Sequence, residues 1–247
     1  AWAEGARQRG LVVIPEFKFL THQEKFFQRN RPQWMYNELT WDPRRPEVYE
    51  AACAVLDEVL PLLQPPAVHI GHDELAGYNI AAEKRLRARG ASPLPAELFL
   101  EDVRRLHREL KARGVETWMW ADMLLSPSEF PTMFPRTLHG GNLPGYGAPL
   151  RRQLPRDIVL CTWHYHDQQP EFPVFDVLRG EGFCVLGATW QHETTIRNMS
   201  RAAATSGISG MIATTWFLMQ RGEMDAIERI LEISGREFPT SRPLPRR

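Results

Sequence analysis

Six short apolar runs, rich in β-branched residues, recur along the chain. They occupy residues 11–14, 67–70, 115–119, 158–162, 183–188 and 211–215. Their apolar residues follow one another without polar alternation, which is typical of strands covered on both faces. The pattern therefore predicts six buried strands of a parallel sheet.

Stretches with helical spacing of apolar residues separate these runs. Residues 46–63 begin with a proline, and residues 96–113 are followed by Gly114, a residue that favours helix termination. Residues 196–206 and 224–233 predict shorter helices, and residues 2–9 predict a helix before the first strand. The proline-rich residues 127–135 and 144–155 predict long loops. Alternating strands and helices indicate parallel strands with right-handed crossovers.

Acidic or aromatic side chains follow each predicted strand. In chain order they are Glu16, Asp73 and Glu74, Trp120 and Asp122, Trp163, Tyr165 and Asp167, Trp190, and Trp216. A barrel builds its active site from the C-terminal ends of many strands, whereas a doubly wound sheet binds ligands at one switch point. No GxGxxG or P-loop motif supports the doubly wound alternative. The sequence thus predicts an α/β fold of the TIM (β/α)8 type.

A closed barrel needs eight strands, and the pattern supplies six. We therefore expect the first two strand units to be absent from this chain; an incomplete or differently closed barrel is the alternative. The 247 residues suit one catalytic barrel domain, residues 1–247, with residues 235–247 as a C-terminal tail.

Charge and cysteine content exclude several classes of protein. Lys and Arg together number 30, as do Asp and Glu, so no basic surface indicates nucleic acid binding. The three cysteines are scattered, which predicts neither a disulfide framework nor a zinc site. No apolar run reaches the roughly 18 residues that span a bilayer, so we expect a soluble protein with no membrane partner and leave its compartment open.

The strongest local signal is the segment His69-Ile70-Gly71-His72-Asp73-Glu74, in which two acids follow a buried strand. Two close carboxyl groups repel, so the less solvated one has a raised pKa. One protonated acid beside one anion suits general acid catalysis. Acids at a helix N-terminus are the alternative interpretation of the pair.

Tryptophan residues at the strand ends favour the catalytic interpretation of the two acids over the helix N-terminus. Five of the eight lie there: Trp118, Trp120, Trp163, Trp190 and Trp216. Sugar rings pack their C–H faces on indole, while their hydroxyls need carboxylates and amides nearby. The combination predicts a carbohydrate site.

These segments resemble glycoside hydrolase family 20, the β-N-acetylhexosaminidases. The acid segment is similar to that family's His-Ile-Gly-Gly-Asp-Glu signature, and residues 9–16 resemble its third strand, with His22 matching the His that closes it. Residues 118–123 resemble the fifth-strand Trp segment of the hexosaminidase D-like branch. Residues 162–167 resemble the family's Trp-Tyr-x-Asp stretch after a later strand, and Trp216 resembles the family's Trp after the last strand. The resemblance covers nearly the whole chain.

The resemblance implies hydrolysis of terminal β-linked N-acetylhexosamine, GlcNAc or GalNAc, with retention and without an enzyme nucleophile. The substrate's 2-acetamido oxygen would attack the anomeric carbon. Asp73 would hold the acetamido N–H, and Glu74 would act as acid and then base. Tyr165 would bind the acetamido oxygen and Asp167 sugar hydroxyls. The walls would come from Trp120, Trp163, Trp190 and Trp216, with His22 and Asp122 also at the site. No metal or organic cofactor would be needed. Members of the family are often dimers, so the resemblance also allows a homodimer.

Two departures from the family pattern stand out. His72 replaces the second Gly of the signature, where it would crowd the site, hydrogen-bond a neighbour or lie on the surface. The family's first-strand Arg, which grips sugar hydroxyls, has no counterpart here. Two alternatives therefore stay open: a conventional two-carboxylate glycosidase that pairs Glu74 with Asp122 or Glu16, and a non-catalytic glycan-binding barrel.

Overall fold

A single parallel sheet organises the protein. The computed structural model describes residues 2–75, 84, 90–217 and 222–239. The six strands pair in sequential order. They are β1 Glu16–Phe19, β2 Ala67–Gly71, β3 Glu116–Trp120, β4 Val159–Trp163, β5 Cys184–Thr189 and β6 Gly210–Ala213. Since all neighbours are parallel, the C-terminal ends of the strands lie along one edge of the sheet.

Helices fill the connections between the strands. They are α1 Trp2–Gln8, α2 Phe27–Asn30, α3 Pro46–Leu63, α4 Ala96–Ala112, α5 Ala148–Arg151, α6 Pro173–Gly180, α7 Glu193–Ser206 and α8 Met224–Glu237. The predicted helices at residues 2–9, 46–63 and 96–113 are confirmed to within one residue. The predicted loop at residues 127–135 ends where the helical turn Pro135–Thr137 begins, and the predicted loop at residues 144–155 contains the short helix α5.

The predicted C-terminal tail, residues 235–247, stays a prediction, and the last helix extends into its first residues. Helix α8 continues through residue 237, because Glu237 Oε1 accepts a hydrogen bond of 3.1 Å from Arg197 Nε on α7. Residues 240–247 of the predicted tail lie outside the described residues.

The first strand is the least accurate of the six predictions. Residues 11–15 have no regular structure, and the side chains of Leu11 and Val12 are 59% and 66% exposed. Pairing with β2 begins only after Pro15, at Glu16 opposite His69. In the part of the chain that the structure describes, β1 pairs on one side only, so an apolar run before it gains no cover from a second neighbour.

The two faces of the sheet carry different side chains. One face packs on the helices through residues such as Ile70, Met119, Leu160 and Val185. The other carries an aromatic-rich cluster that includes Trp120, Trp163, Tyr165 and Trp190. Sequential parallel strands with helices outside and side chains inside make the wall of a (β/α) barrel, which confirms the predicted fold class.

Other predictions concern the cysteines and the membrane. All three cysteines are free; Cys161 is buried on β4 and Cys184 half-buried on β5. Among the described helices, none combines the length and the apolar character that crossing a membrane requires.

Candidate active site

A sharp turn after β2 presents the two acids. Gly71 has a φ of 76°, and an added Cβ would lie 3.0 Å from the carbonyl oxygen of Phe17, so this position needs glycine. His72 and Glu74 also adopt left-handed backbone, with φ of 70° and 55°. Adjacent residues on a regular strand point to opposite faces. The turn instead lets Asp73 and Glu74 face one pocket, as the sequence predicts.

The pocket lies at the C-terminal ends of the strands and has a volume of about 730 Å³. Eight of the ten predicted site residues line it: His22, Asp73, Glu74, Trp120, Trp163, Tyr165, Trp190 and Trp216. Asp122 and Asp167 do not. Six further described residues also line it: Lys18, Phe134, Arg136, Thr137, His139 and His166.

Two side chains, Lys18 and His22, contact the same oxygen of Asp73. His22 Nε2 lies 3.2 Å and Lys18 Nζ 3.3 Å from Asp73 Oδ2. Burial alone would raise the pKa of Asp73, but the hydrogen bond from His22 and the charges of Lys18 and His22 outweigh it and lower that pKa well below its usual range. The other oxygen, Oδ1, is buried and has no hydrogen-bond partner among the described residues. Asp73 is therefore an anion with one acceptor available.

Glu74 has the opposite electrostatic environment. Burial, followed by the negative charge of Asp73, raises the pKa of Glu74 from 4.5 to about 7. His22 Nε2 lies 3.4 Å from Glu74 Oε2, so the same imidazole contacts both acids. Near neutral pH the pocket thus holds one carboxylate and one carboxyl group that exchanges its proton readily.

Asp122 acts behind the pocket rather than in its wall. The residue is 2% exposed, and its Oδ2 accepts hydrogen bonds from the backbone N–H of Glu74 at 2.9 Å and from His139 Nδ1 at 2.8 Å. Burial opposes a charge on His139, but its hydrogen bond to Asp122 prevails and raises the pKa of His139. Asp122 therefore fixes the backbone of Glu74 and the ring of His139.

Asp167 takes a different place from the one predicted. It is 2% exposed, and its Oδ1 accepts hydrogen bonds from the backbone N–H of Phe134 at 2.6 Å and from Gln169 Nε2 at 3.0 Å. These bonds satisfy Oδ1 inside the protein, so this oxygen holds the loop that carries Phe134 rather than a sugar hydroxyl.

The aromatic wall is a connected set of rings. Trp163 stacks on Tyr165 at 5.1 Å between centroids, and Tyr165 meets Trp190 at 5.9 Å. Trp216 Nε1 donates to the hydroxyl oxygen of Tyr165 at 2.8 Å, and the Trp216 ring lies 6.2 Å from that of Trp120. Burial raises the pKa of the Tyr165 hydroxyl, which keeps it protonated and able to donate.

Lys18 and His139 are site residues that the sequence analysis missed. Lys18 Nζ lies 2.8 Å from Glu16 Oε1 and 4.9 Å from the centroid of the Trp216 ring, so it joins β1 to the far wall. Its position two residues after Glu16 was the available signal, since alternate strand residues share a face. His139 lies in the long loop after β3, where no periodic pattern marks a functional residue.

Within the described ranges, three residues have ligand atoms close enough together for a metal ion. One atom from each of His22, Asp73 and Glu74 lies within 4.8 Å of the others. The ammonium of Lys18 contacts Asp73 in the same place and opposes a second cation there. The donor set therefore fits acid–base chemistry better than metal binding.

His72 does not crowd the pocket and does not lie on the surface. Its side chain is fully buried, and Nε2 lies 2.8 Å from Asp102 Oδ2 on α4. Of the three predicted outcomes for this position, hydrogen bonding to a neighbour is confirmed.

Comparison with known proteins identifies the family to which the chain belongs. The sequence model for "Glycosyl hydrolase family 20, catalytic domain" matches residues 4–217. Among curated proteins, none matches this chain. The hexosaminidase D-like branch stays a prediction.

Several solved structures share the fold. The β-N-acetylhexosaminidase from Bacteroides fragilis NCTC 9343 is 18% identical, with 99% of this chain and 51% of that chain covered and a TM-score of 0.60. An exo β-N-acetylglucosaminidase from Vibrio harveyi, in complex with N-acetylglucosamine, is 18% identical over 95% of this chain and 40% of that chain, with a TM-score of 0.58. Dispersin B is 16% identical, with 96% of this chain and 75% of that chain covered and a TM-score of 0.60. The chain thus spans about half or less of the first two proteins.

Proposed function

Since the chain belongs to glycosyl hydrolase family 20, we propose that it removes terminal β-linked N-acetylhexosamine by substrate-assisted catalysis with retention. One observation carries the proposal: adjacent acids share a pocket, and their pKa values are displaced in opposite directions. A carbohydrate is the substrate class that the family and the aromatic walls support.

Asp73 is the residue that orients the acetamido group. Its Oδ1 is a buried acceptor without a described partner, which matches the N–H of a 2-acetamido group. Its negative charge balances the positive charge that develops as the acetamido oxygen attacks the anomeric carbon. His22 and Lys18 keep it ionised and in place through Oδ2.

Glu74 moves the proton. In the first step the acetamido oxygen bonds to the anomeric carbon, which closes an oxazolinium ring. The bond from the anomeric carbon to the leaving oxygen breaks, and that oxygen takes the proton of Glu74. In the second step Glu74 takes a proton from water, whose oxygen attacks the anomeric carbon and reopens the oxazolinium ring. A pKa of about 7 suits a group that both gives and takes a proton near neutrality.

The aromatic wall contributes orientation and exclusion of water. The hydroxyl of Tyr165, which accepts from Trp216 Nε1, can donate its own proton to the acetamido oxygen. Trp120, Trp163, Trp190 and Trp216 offer apolar faces to the sugar ring and the acetyl methyl group.

The two-carboxylate alternative has less support. Neither Asp122 nor Glu16 lines the pocket. Asp122 Oδ2 is occupied by Glu74 and His139, and Glu16 Oε1 accepts a hydrogen bond from Trp120 Nε1 and pairs with Lys18. Since both acids lie outside the pocket wall, neither is placed to attack an anomeric carbon in the pocket.

Aryl glycosides with one leaving group and different sugars test the proposal. We expect turnover of the N-acetyl-β-glucosaminide or the N-acetyl-β-galactosaminide and almost none of the matching β-glucoside, which lacks the internal nucleophile. Equal turnover of the β-glucoside would favour a two-carboxylate mechanism. Saturable binding of N-acetylglucosamine without any turnover would favour a glycan-binding barrel.

A further inference from the structure

A buried polar cluster lies directly beneath the turn that carries the two acids. Its four side chains are His72, Asp102, Tyr49 and Trp41, which we call the buried strut. Their residues are between 0% and 3% exposed. None of the four lines the pocket, so sugar does not reach them.

Hydrogen bonds connect the strut from helix α3 to the acid turn. Asp102 Oδ1 accepts from Trp41 Nε1 at 2.8 Å and from the hydroxyl of Tyr49 at 2.7 Å. Asp102 Oδ2 faces His72 Nε2 at 2.8 Å, and His72 Nδ1 lies 3.0 Å from the carbonyl oxygen of Ile70. Each end of the imidazole is thus tied to a different part of the fold.

The partners of His72 define where its protons lie. A carbonyl oxygen only accepts, so Nδ1 carries a proton that it donates to Ile70. A second proton lies between Nε2 and Asp102 Oδ2. Both side chains thus have hydrogen-bond partners, which lowers the cost of burying polar groups completely.

The strut holds a residue whose backbone conformation is unfavourable for histidine. His72 has a φ of 70°, a region that glycine adopts freely and other residues adopt under strain. The family signature that this chain resembles has glycine at this position. Here the two bonds of the imidazole offset the strain and fix the residue immediately before Asp73.

We propose that His72, held by Asp102, is a positioning residue that sets the direction of the Asp73 and Glu74 carboxyl groups. The proposal rests on the proposed function of those acids. Because backbone rotation at one residue swings the next two side chains, loosening His72 moves both acids relative to the substrate. Misplacement by about 1 Å at a reacting centre costs on the order of 10²-fold in rate.

The test compares H72A with a matched control, H107A. His107 lies on the same helix as Asp102, is also buried, and contacts Thr117 Oγ1 at 2.9 Å and Asp157 Oδ1 at 3.1 Å, away from the pocket. Each variant is assayed with two aryl N-acetyl-β-hexosaminides, one with a good and one with a poor leaving group. A poor leaving group depends more on the proton of Glu74.

We expect H72A to lower kcat by on the order of 10²-fold with little change in KM, and to lower it more for the poor leaving group. H107A should lower the melting temperature and leave the ratio of the two kcat values unchanged. That ratio does not depend on how much of the protein is folded. An unchanged ratio in H72A would overturn the proposal.

Two further arms cover other outcomes. If H72A does not fold, the variants D102N and D102A replace it. In D102N the amide oxygen can still accept from Trp41 Nε1 and the amide nitrogen can donate to His72 Nε2, so most activity should remain. D102A removes both contacts and should lose activity. Equal activity of D102N, D102A and the wild type would contradict the strut. If the wild type turns over neither glycoside, the proposed function fails, and crystal structures of the wild type and H72A still decide whether the acids shift.

Discussion

Asp73 and Glu74 are neighbours in sequence, and their surroundings separate their chemistry. Burial acts on both, but Lys18 and His22 lower the pKa of Asp73 through contacts with its Oδ2, whereas the negative charge of Asp73 raises the pKa of Glu74 further. Two carboxyl groups at close range do not both ionise easily, because their negative charges repel each other. The two acids therefore differ because the ammonium of Lys18 contacts Asp73, and the negative charge of Asp73 in turn acts on Glu74.

The first prediction concerns pH. Activity requires protonated Glu74, so kcat/KM should fall as pH rises through about 7, where Glu74 loses its proton. In D73N the charge that raises this pKa is gone, so the descending limb should move to lower pH while the maximum rate falls. The measurement is the pH profile of both proteins on one aryl substrate. A descending limb at the same pH in both would contradict the coupling.

The second prediction concerns the proton donor. E74Q keeps the size of the side chain and removes its proton transfer, which contributes about 10²- to 10⁴-fold. We expect a loss in this range for a poor leaving group and a smaller loss for an activated one. E47Q, on the first turn of α3, is the matched control. Equal losses with both leaving groups in E74Q would exclude Glu74 as the acid.

The third prediction concerns Tyr165. Y165F keeps the ring that stacks on Trp163 and removes the hydroxyl that contacts Trp216. We expect kcat to fall by roughly tenfold or more, because the acetamido oxygen loses the hydrogen bond that orients it for attack. The change in KM should be smaller. A variant with wild-type kcat would remove Tyr165 from the acetamido site.

At the scale of elements, the long connection between β3 and β4 supports the site from behind. Asp122, directly after β3, ties the backbone of Glu74 to His139 in that connection. Arg151 on α5 anchors the same connection, since its buried guanidinium pairs with Glu129 and Glu181. The pocket wall therefore depends on residues that do not line the pocket.

The fourth prediction follows from Asp122. D122A leaves the N–H of Glu74 and the ring of His139 without their acceptor, which should cost about 1–3 kcal/mol of unfolding free energy. We also expect kcat/KM to fall at least tenfold, measured on folded protein. D57N, at an exposed ion pair with Arg113, should change neither quantity appreciably. Wild-type kcat/KM in D122A would show that Glu74 needs no such support.

Element type and order were predictable because apolar periodicity decides them. The 46–63 pattern gave helix α3 with both bounds correct, and the strands from β2 to β6 lie within two residues of the predicted runs. Residues 11–14 failed because strand pairing depends on neighbours that lie far away in sequence. Nothing local distinguishes an apolar run that is paired from one that precedes an edge strand.

Side-chain direction within loops was not predictable. Asp167 follows a strand as Tyr165 does, yet it bonds to the backbone of Phe134. His72 adjoins Asp73, yet it points to α4 because the left-handed turn rotates it away. Both outcomes depend on backbone angles after the strand end, which residue types alone do not fix.

At the scale of the whole molecule, the site is assembled from all six strands. β1 leads to His22, β2 to the acids, and β3 to β6 supply the aromatic wall. Acidic and basic residues balance at 30 each, so recognition rests on this local geometry rather than on overall charge. The proposed mechanism requires such positioning by several rigid strands, because the substrate's own acetamido group has to be held against the anomeric carbon.

The central claim is that the substrate's acetamido oxygen is the nucleophile, and one series of substrates tests it. Aryl N-acyl-β-glucosaminides with zero, one, two or three fluorines on the acetyl group share ring and leaving group, but their amide oxygen becomes steadily less nucleophilic. Our account predicts that kcat/KM falls steeply with each added fluorine. A kcat/KM independent of fluorine number would contradict it.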